Sequence, residues 1–323
     1  MLLTDNIRKV FVTGGAGFIG SHVTDMLLAD GYQVTVYDNL SSGTIRWIEH
    51  HSRKDNFQFL QADLLDLNSI QEAMVGHDLV WHLAANTDIP SGYTNTDIDL
   101  KNCVIGTYNV LEAMRRNAIQ PIMFSSTGAI YGDICKTKPT TENAGPILPL
   151  SLYASGKLSC EGFIAAYCSL FGLRGWIFRF GNVIGSRMGH GVIYDFVQKL
   201  RRNPGELEIL GDGRQEKNYF LVEECIGGMA FAFKNVKFTE DKPCDIFNLG
   251  TDSVSKVTTI AQIVIEEMDL KNVKIHFTGG EAGWPGDQPQ VHILSDKMHA
   301  MGWYTQYTSD EAVRIAVKRL LKD

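Results

Sequence analysis

Tyr153 and Lys157 stand four apart in Tyr153-Ala154-Ser155-Gly156-Lys157, a spacing that puts a phenol and an ammonium on one face of a helix. A free tyrosine, with a pKa of about 10, is a poor base at neutral pH. An adjacent ammonium, together with a positively charged ring bound alongside, would favour the phenolate and bring it toward the working range. Tyr153 could then remove a hydroxyl proton while hydride leaves the same carbon. Chance also produces such pairs on helix surfaces, so the surroundings decide its weight. Upstream, Phe124-Ser125-Ser126-Thr127-Gly128-Ala129-Ile130-Tyr131-Gly132 follows an apolar run, and Thr127 is the hydroxyl chosen to steady a substrate oxygen. Ser125 and Ser126 lie closer to the strand and are assigned to lining a cofactor or to structure.

Departing hydride needs an acceptor, and the chain offers a place for one. Val10-Phe11-Val12 leads into Thr13-Gly14-Gly15-Ala16-Gly17-Phe18-Ile19-Gly20, a strand feeding a glycine-rich turn that opens a helix. Gly14 permits the tight turn, Gly17 lets backbone N–H groups approach a pyrophosphate, and Gly20 lets the helix pack close to the sheet. Roughly 20 residues on, after Val34-Thr35-Val36-Tyr37, Asp38 stands where a carboxylate would take ribose hydroxyls and repel a 2′-phosphate. That favours NAD over NADP. The plainer alternative for Asp38 is a solvated carboxylate at a strand end.

Runs at 10–13, 33–37, 57–61, 78–83, 121–125 and 174–180 read as strands alternating with helical patterns, which means parallel strands with crossover helices. The fold class expected is α/β, a Rossmann-type doubly wound parallel sheet with a smaller mixed α/β C-terminal substrate lobe. The expected division is 1–182 for the dinucleotide-binding domain and 183–323 for the lobe, with approximate boundaries and interleaved segments. Two long helices are expected near 95–118, with Val104, Tyr108, Leu111 and Met114 at helical spacing, and near 152–171, with Leu158, Phe163, Ala166 and Leu170. Both are apolar over more than one stripe, which suits either a partner subunit or the interior of a monomer. Beyond 183, short strands at 207–210, 245–248 and 273–277 mix with helices near 192–202, 222–233, 255–268 and 309–322.

A chain of 323 residues, 44% hydrophobic and 21% charged, can bury a large core. Its net charge of −7 offers no electrostatic footprint for nucleic acid or an anionic membrane. The N-terminal residues lack a basic stretch followed by an apolar one, and no segment reaches the ~18 apolar residues of a spanning helix, so a soluble cytoplasmic protein is expected. Six cysteines without C-x-x-C pairing or neighbouring histidines argue against a disulfide framework and a zinc site. Buried free thiols and no metal are expected.

Taken together, these segments resemble the extended short-chain dehydrogenases/reductases, in the NAD-dependent sugar-nucleotide epimerase and dehydratase branch typified by UDP-glucose 4-epimerase. The resemblance spans essentially the whole chain. It rests on the glycine turn, Tyr37-Asp38-Asn39-Leu40-Ser41-Ser42-Gly43, Ala62-Asp63-Leu64, His82-Leu83-Ala84-Ala85, the Phe124–Gly132 segment, the Tyr-Lys pair and Arg179-Phe180-Gly181-Asn182-Val183-Ile184-Gly185. The resemblance implies a tightly held NAD touched by Gly14, Gly17, Phe18, Ile19, Asp38, Asn39, Ser42, Gly43, Asp63, Leu64, Leu83, Ala84, Ala85 and Ser125. It implies Tyr153 as acid and base, Lys157 on the nicotinamide ribose, Thr127 on the sugar hydroxyl, Asn182 near the nucleotide diphosphate, and a homodimer through the two long helices. The implied reaction is epimerisation at C4 of a nucleotide-diphosphate sugar of the UDP-glucose/UDP-galactose type, through a transient 4-keto sugar.

Related 4,6-dehydratases carry Asp-Glu after the hydroxyl residue, and decarboxylating relatives carry a glutamate in that segment. Gly128-Ala129 stand there instead, which favours epimerisation. Where many relatives grip the diphosphate with two arginines, this chain has Lys217-Asn218-Tyr219 and Trp284-Pro285-Gly286-Asp287. Lys217 can supply a point charge, and Arg187 and Arg214 are candidate replacements. Val291 would leave room for an N-acetyl group if the register holds, and Cys103 replaces a common Asn, with no role given to Asn102. Other expectations left open are a dehydratase of unusual type, a 4-keto reductase, an epimerase at another carbon, and a noncatalytic NAD-binding regulator.

Overall fold

The computed structural model describes residues 3–4, 6–136, 139–284 and 286–322. The chain divides into two compact units, one of Met1–Thr127, Ser151–Arg179 and Ile226–Phe247, the other of Gly128–Leu150, Phe180–Cys225 and Asn248–Asp323.

A seven-stranded parallel sheet organises the first unit. Its strands are β1 (Lys9–Thr13), β2 (Gln33–Asp38), β3 (Phe57–Gln61), β4 (Leu79–His82), β5 (Pro121–Thr127), β6 (Arg174–Phe180) and the Cys244–Leu249 strand. Across the sheet the order is Cys244–Leu249, β6, β5, β4, β1, β2, β3. Chain order therefore reverses between β1 and β4; β1 pairs in parallel with both β2 and β4, Val10 standing opposite Val34 on one side and Leu79 on the other. Ligands of such sheets bind beyond the strand carboxyl ends at this reversal. Val10, Phe11, Val12, Leu79, Val80 and Trp81 are fully buried, as strands covered on both faces require. The segment near 245–248, which the sequence suggested as part of the C-terminal lobe, instead forms an edge of this sheet beside β6.

Helices α1 (Phe18–Ala29), α2 (Leu67–Ala73), α3 (Gly106–Arg116) and α4 (Leu152–Phe171) carry the crossovers. The uninterrupted helix expected over 95–118 is different in detail. Leu100–Ile105 is wound as a π-helix and only then tightens into α3. Apolar spacing shows which face is buried but cannot register one extra residue per turn. On α4 the buried face is Ala154, Gly156, Lys157, Cys160, Glu161, Ile164, Tyr167 and Cys168, whereas Phe163 and Leu170 of the expected apolar stripe are exposed. Tyr108 of α3 is exposed too.

In the second unit, strands Asn182–Ile184 and Tyr219–Leu221 pair in parallel, as do Glu206–Ile209 and Lys274–Phe277. Glu216–Lys217 lies between Ser255–Lys256 and Gln290–Val291. Helices Val192–Arg202, Val257–Glu267 and Ser309–Leu320 complete it, the last begun by a reciprocal Thr308–Glu311 capping box. All six cysteines are free thiols, five buried and Cys244 partly so. Among the described residues no helix is long and apolar enough to cross a membrane.

Candidate active site

The glycine turn is built for close approach. Gly14 has φ +69°, and a Cβ there would stand 2.8 Å from the Ala84 backbone nitrogen. A Cβ on Gly43 would likewise meet the Ala16 carbonyl carbon at 2.9 Å. Gly17, extended, starts α1 with no side-chain cap and no acidic residue in the first turn. The leading amides of a 12-residue helix therefore supply uncommitted donors and the positive end of its dipole. Phe18 and Ile19 sit in this turn, partly exposed.

Asp38, at the end of β2, is buried, with Oδ2 accepting from Ala16 N at 3.0 Å and Oδ1 from Leu40 N at 2.8 Å. Burial pushes its pKa up, while the two amides pull the other way by favouring the anion. Each oxygen keeps a lone pair for a ribose hydroxyl. Asn39 donates to Asp63 Oδ2 at 3.0 Å, Leu64 O accepts from Asn109 at 2.7 Å, and exposed Ser42 follows on the same loop. Donors fit for a pyrophosphate and an anchored carboxylate after the next strand suit NAD.

Beyond β4, Thr13 Oγ1 accepts from the amides of Leu83 at 3.2 Å and Ala84 at 3.3 Å, and reaches His82 Nδ1 at 2.6 Å. His82 Nε2 meets Thr107 Oγ1 at 3.0 Å, so a threonine hydroxyl holds each ring nitrogen. Burial, seconded by the Lys157 charge, pushes the His82 pKa down to about 3, so the ring is a neutral strut. It fixes the Leu83-Ala84-Ala85 segment, whose Ala85 packs on the core.

Ser151 caps α4, its hydroxyl accepting from Ala154 N at 3.2 Å, so the helix starts just before Tyr153. Tyr153 is hydrogen-bonded to Thr127 at the end of β5. Buried Lys157 donates to Ser125 O at 2.6 Å and lies 4.7 Å from the Phe124 ring and 6.0 Å from the Tyr153 ring. The structure thus joins Thr127, Tyr153, Lys157 and Ser125. One expectation changes: burial raises the Tyr153 pKa, with Cys103 and Asp99 adding to the rise and only Thr127 opposing it. The protein alone keeps the phenol protonated, because desolvation of the anion outweighs its hydrogen bond to Thr127.

Two buried acidic groups here, Asp99 and Glu161, escaped the sequence reading. Asp99 is 1% exposed, with Oδ1 accepting from Asn86 at 3.2 Å and Oδ2 without a partner. It leads into the π-helix, which packs against Gly156, where a Cβ would come 3.2 Å from Cys103 Cβ and 3.4 Å from Asp99 O. Gly156 of the Tyr-Lys segment is therefore a close-packing position. Arg179 of β6 forks onto Glu161 of α4 at 3.1 and 2.7 Å, and Ser126 donates to the same carboxylate at 2.5 Å. Ser126 is thereby structural, whereas the Ser125 hydroxyl reaches His82 O at 3.3 Å.

In the second unit, Asn182 donates through Nδ2 to Asn218 O at 3.1 Å. Fully buried Asn218 donates to the carbonyls of Thr251, Ser253 and Ile293 and accepts from Ile293 N at 2.9 Å. Lys217 Nζ lies 2.8 Å from Asp287 Oδ1, so its charge is shared with a carboxylate before any phosphate arrives. Arg187 adopts a left-handed conformation with φ 65°. Arg214 is 89% exposed, and Val291 is buried. Of Trp284-Pro285-Gly286-Asp287, Pro285 lies outside the described residues.

The reversed strand order, the glycine turn and the Tyr-Lys pair together define an NAD-binding enzyme of Rossmann type. Residues 10–250 match the model of the NAD dependent epimerase/dehydratase family, and the chain belongs to that family, among the sugar-nucleotide enzymes of the extended short-chain dehydrogenase/reductase group. It is 32% identical to a Methanocaldococcus jannaschii protein over 95% of this chain and 97% of the other; that protein's name, UDP-glucose 4-epimerase, is itself provisional. A crystal structure of a UDP-galactose 4-epimerase superposes with TM-score 0.86 at 35% identity, covering 98% of this chain and 99% of the other. The Thermus thermophilus UDP-glucose 4-epimerase complex with NAD superposes with TM-score 0.84 at 28% identity, covering 97% and 98%. UDP-glucuronic acid decarboxylases and a dTDP-D-glucose 4,6-dehydratase are also similar to this chain.

Proposed function

We propose that this enzyme epimerises a nucleotide-diphosphate sugar at C4, of the UDP-glucose/UDP-galactose type, through a transient 4-keto sugar. The observation that carries this reading is the hydrogen-bonded Thr127–Tyr153 pair followed by Gly128-Ala129: a proton-handling tyrosine with no carboxylate in the next two positions to eliminate water or act on a sugar acid. Thr127 holds the C4 oxygen, Tyr153 takes its proton and later returns one, and Lys157 lies against Tyr153 and toward the nicotinamide ribose. NAD, when bound, supplies a hydride acceptor and the positive ring whose field brings the Tyr153 pKa down. The glycine turn with Phe18 and Ile19 holds the pyrophosphate. Asp38, Asn39, Ser42, Gly43, Asp63 and Leu64 hold the adenosine, and Leu83, Ala84, Ala85 and Ser125 line the rest. Asn182, Lys217 and Arg187 hold the sugar nucleotide, Lys217 by exchanging part of its contact with Asp287 for phosphate. A homodimer through the helices near 95–118 and 152–171 belongs to the same reading, supported by exposed Tyr108, Phe163 and Leu170.

Incubation with UDP-glucose, UDP-N-acetylglucosamine, UDP-glucuronate and their GDP- and dTDP-linked counterparts, followed by NMR of the anomeric protons, tests the reaction. A 4-epimer that forms with NAD and is lost in Tyr153→Phe is expected. Net NADH, a dehydrated sugar or carbon dioxide as the product would replace epimerisation with another chemistry.

A further inference from the structure

Away from the Tyr-Lys pair, two imidazoles and a carboxylate converge. Asp25 lies on α1, seven residues and so about 10 Å beyond its first residue. His50 and His51 end the single turn Glu49–His51. His51 Nε2 is 2.6 Å and His50 Nε2 3.3 Å from the same Asp25 Oδ1, and one ligand atom from each of the three side chains lies within 4.8 Å of the others. Their ring centroids lie 3.9 Å apart with the planes tilted by 45°, and the Phe57 ring lies 5.6 Å from that of His51. His51 is 4% exposed, whereas the side chains of Asp25 and His50 are 30% and 53% exposed. The cluster therefore has a rigid inner wall and one side open to solvent.

We infer that Asp25, His50 and His51 form a binding site for a borderline divalent cation such as zinc or cobalt, with the open side left to water. Two histidines and one carboxylate favour such ions over magnesium or calcium, which prefer an all-oxygen set. Ligand bonds near 2.1 Å place tetrahedral neighbours about 3.4 Å apart. The His50–Asp25 separation of 3.3 Å already has that value, and the His51–Asp25 contact opens by several tenths of an ångström when two bonds to the ion replace one hydrogen bond. Ligation through His51 Nε2 replaces its hydrogen bond to Asp25 and moves the ring proton to Nδ1, which has no other partner among the described residues. With three protein ligands and one open side, the affinity lies below that of a closed structural zinc site. Occupancy ties α1 to the segment that follows Asp38–Gly43, fastening the turn after the adenosine-binding loop.

The test uses untagged, chelator-treated enzyme with NAD present, so its outcome is independent of the sugar substrate. Titration with cobalt followed by its visible ligand-field bands, and with zinc followed by calorimetry, is expected to show one saturable site per chain that magnesium does not compete for. Half-exposed His50 and partly exposed Asp25 are replaced rather than buried His51, whose loss threatens folding. His50→Ala and Asp25→Asn should each weaken binding by roughly tenfold or more, as loss of a ligand demands more than loss of an outer partner. Saturable binding that survives either substitution, or none at all in the unaltered enzyme, overturns the site.

Discussion

Tyr153 works against its surroundings: burial, Cys103 and Asp99 all hold its proton on. Asp99→Asn removes one anion, so the Tyr153 pKa falls and the acid limb of a kcat/KM profile moves to lower pH. The same shift is expected in phenolate absorbance of the NAD complex against a Tyr153→Phe reference. An unmoved profile means that Asp99 is protonated at working pH. Asp38→Asn weakens its grip on the ribose hydroxyls and removes the charge that repels a 2′-phosphate. NAD binding is expected to lose about 1.5–3 kcal/mol, and the preference over NADP to narrow, in fluorescence titrations of both cofactors. His82 has a pH signature of its own. Its folded pKa of about 3 lies below the unfolded 6.5, so its stability contribution is complete above 6.5 and declines as pH falls between those values. Each histidine held neutral in this way adds a slope of about 1.4 kcal/mol per pH unit within its window, and His51 and His77 are lowered too. Chemical denaturation at pH 7, 6 and 5 should show the loss before most carboxylates titrate.

Between elements, Arg179 of β6 and Glu161 of α4 bury opposite charges against each other, both side chains 4% exposed. Arg179→Met strands the carboxylate and is expected to cost about 3–5 kcal/mol in urea unfolding, while the double change with Glu161→Leu recovers most of it. Gly156→Ala pushes a methyl group against Cys103 and Asp99, separating α4 from the π-helix, with a fall in kcat larger than the fall in stability. These contacts explain where sequence and structure part. The six leading strands, α4 and the glycine turn were legible because apolar period, turn residues and helix spacing write them locally. Tyr153, Lys157 and Thr127 were legible because their order along the chain places them at strand ends and on one helical face. Asp99, Glu161 and Asn218 were not, since a polar residue gives no local sign that tertiary packing will bury it. The π-helix was missed because one extra residue per turn leaves the apolar pattern almost unchanged.

At the scale of the molecule, the exposed apolar side chains of α3 and α4 carry a prediction about assembly. Leu170 is 72% exposed and Phe163 42%. Leu170→Asp combined with Phe163→Asp should convert a dimer in sedimentation velocity to a monomer with unchanged NAD binding; a monomeric unaltered protein would remove the dimer from the reading. The interleaved units also make the two halves of the sequence poor building blocks: residues 1–182 contain six strands of the sheet but not the Cys244–Leu249 edge. Cys244 follows Phe180 by 64 residues. A ribosome adding ~5–20 residues per second spends roughly 3–13 s on that interval. Throughout it the nascent β6 has a bare backbone edge, open to any other unfinished strand in its polysome. Yield in the cell therefore depends on elongation speed and chaperone capture over this stretch, and codon choice between positions 181 and 243 becomes a determinant of how much enzyme is recovered in the supernatant.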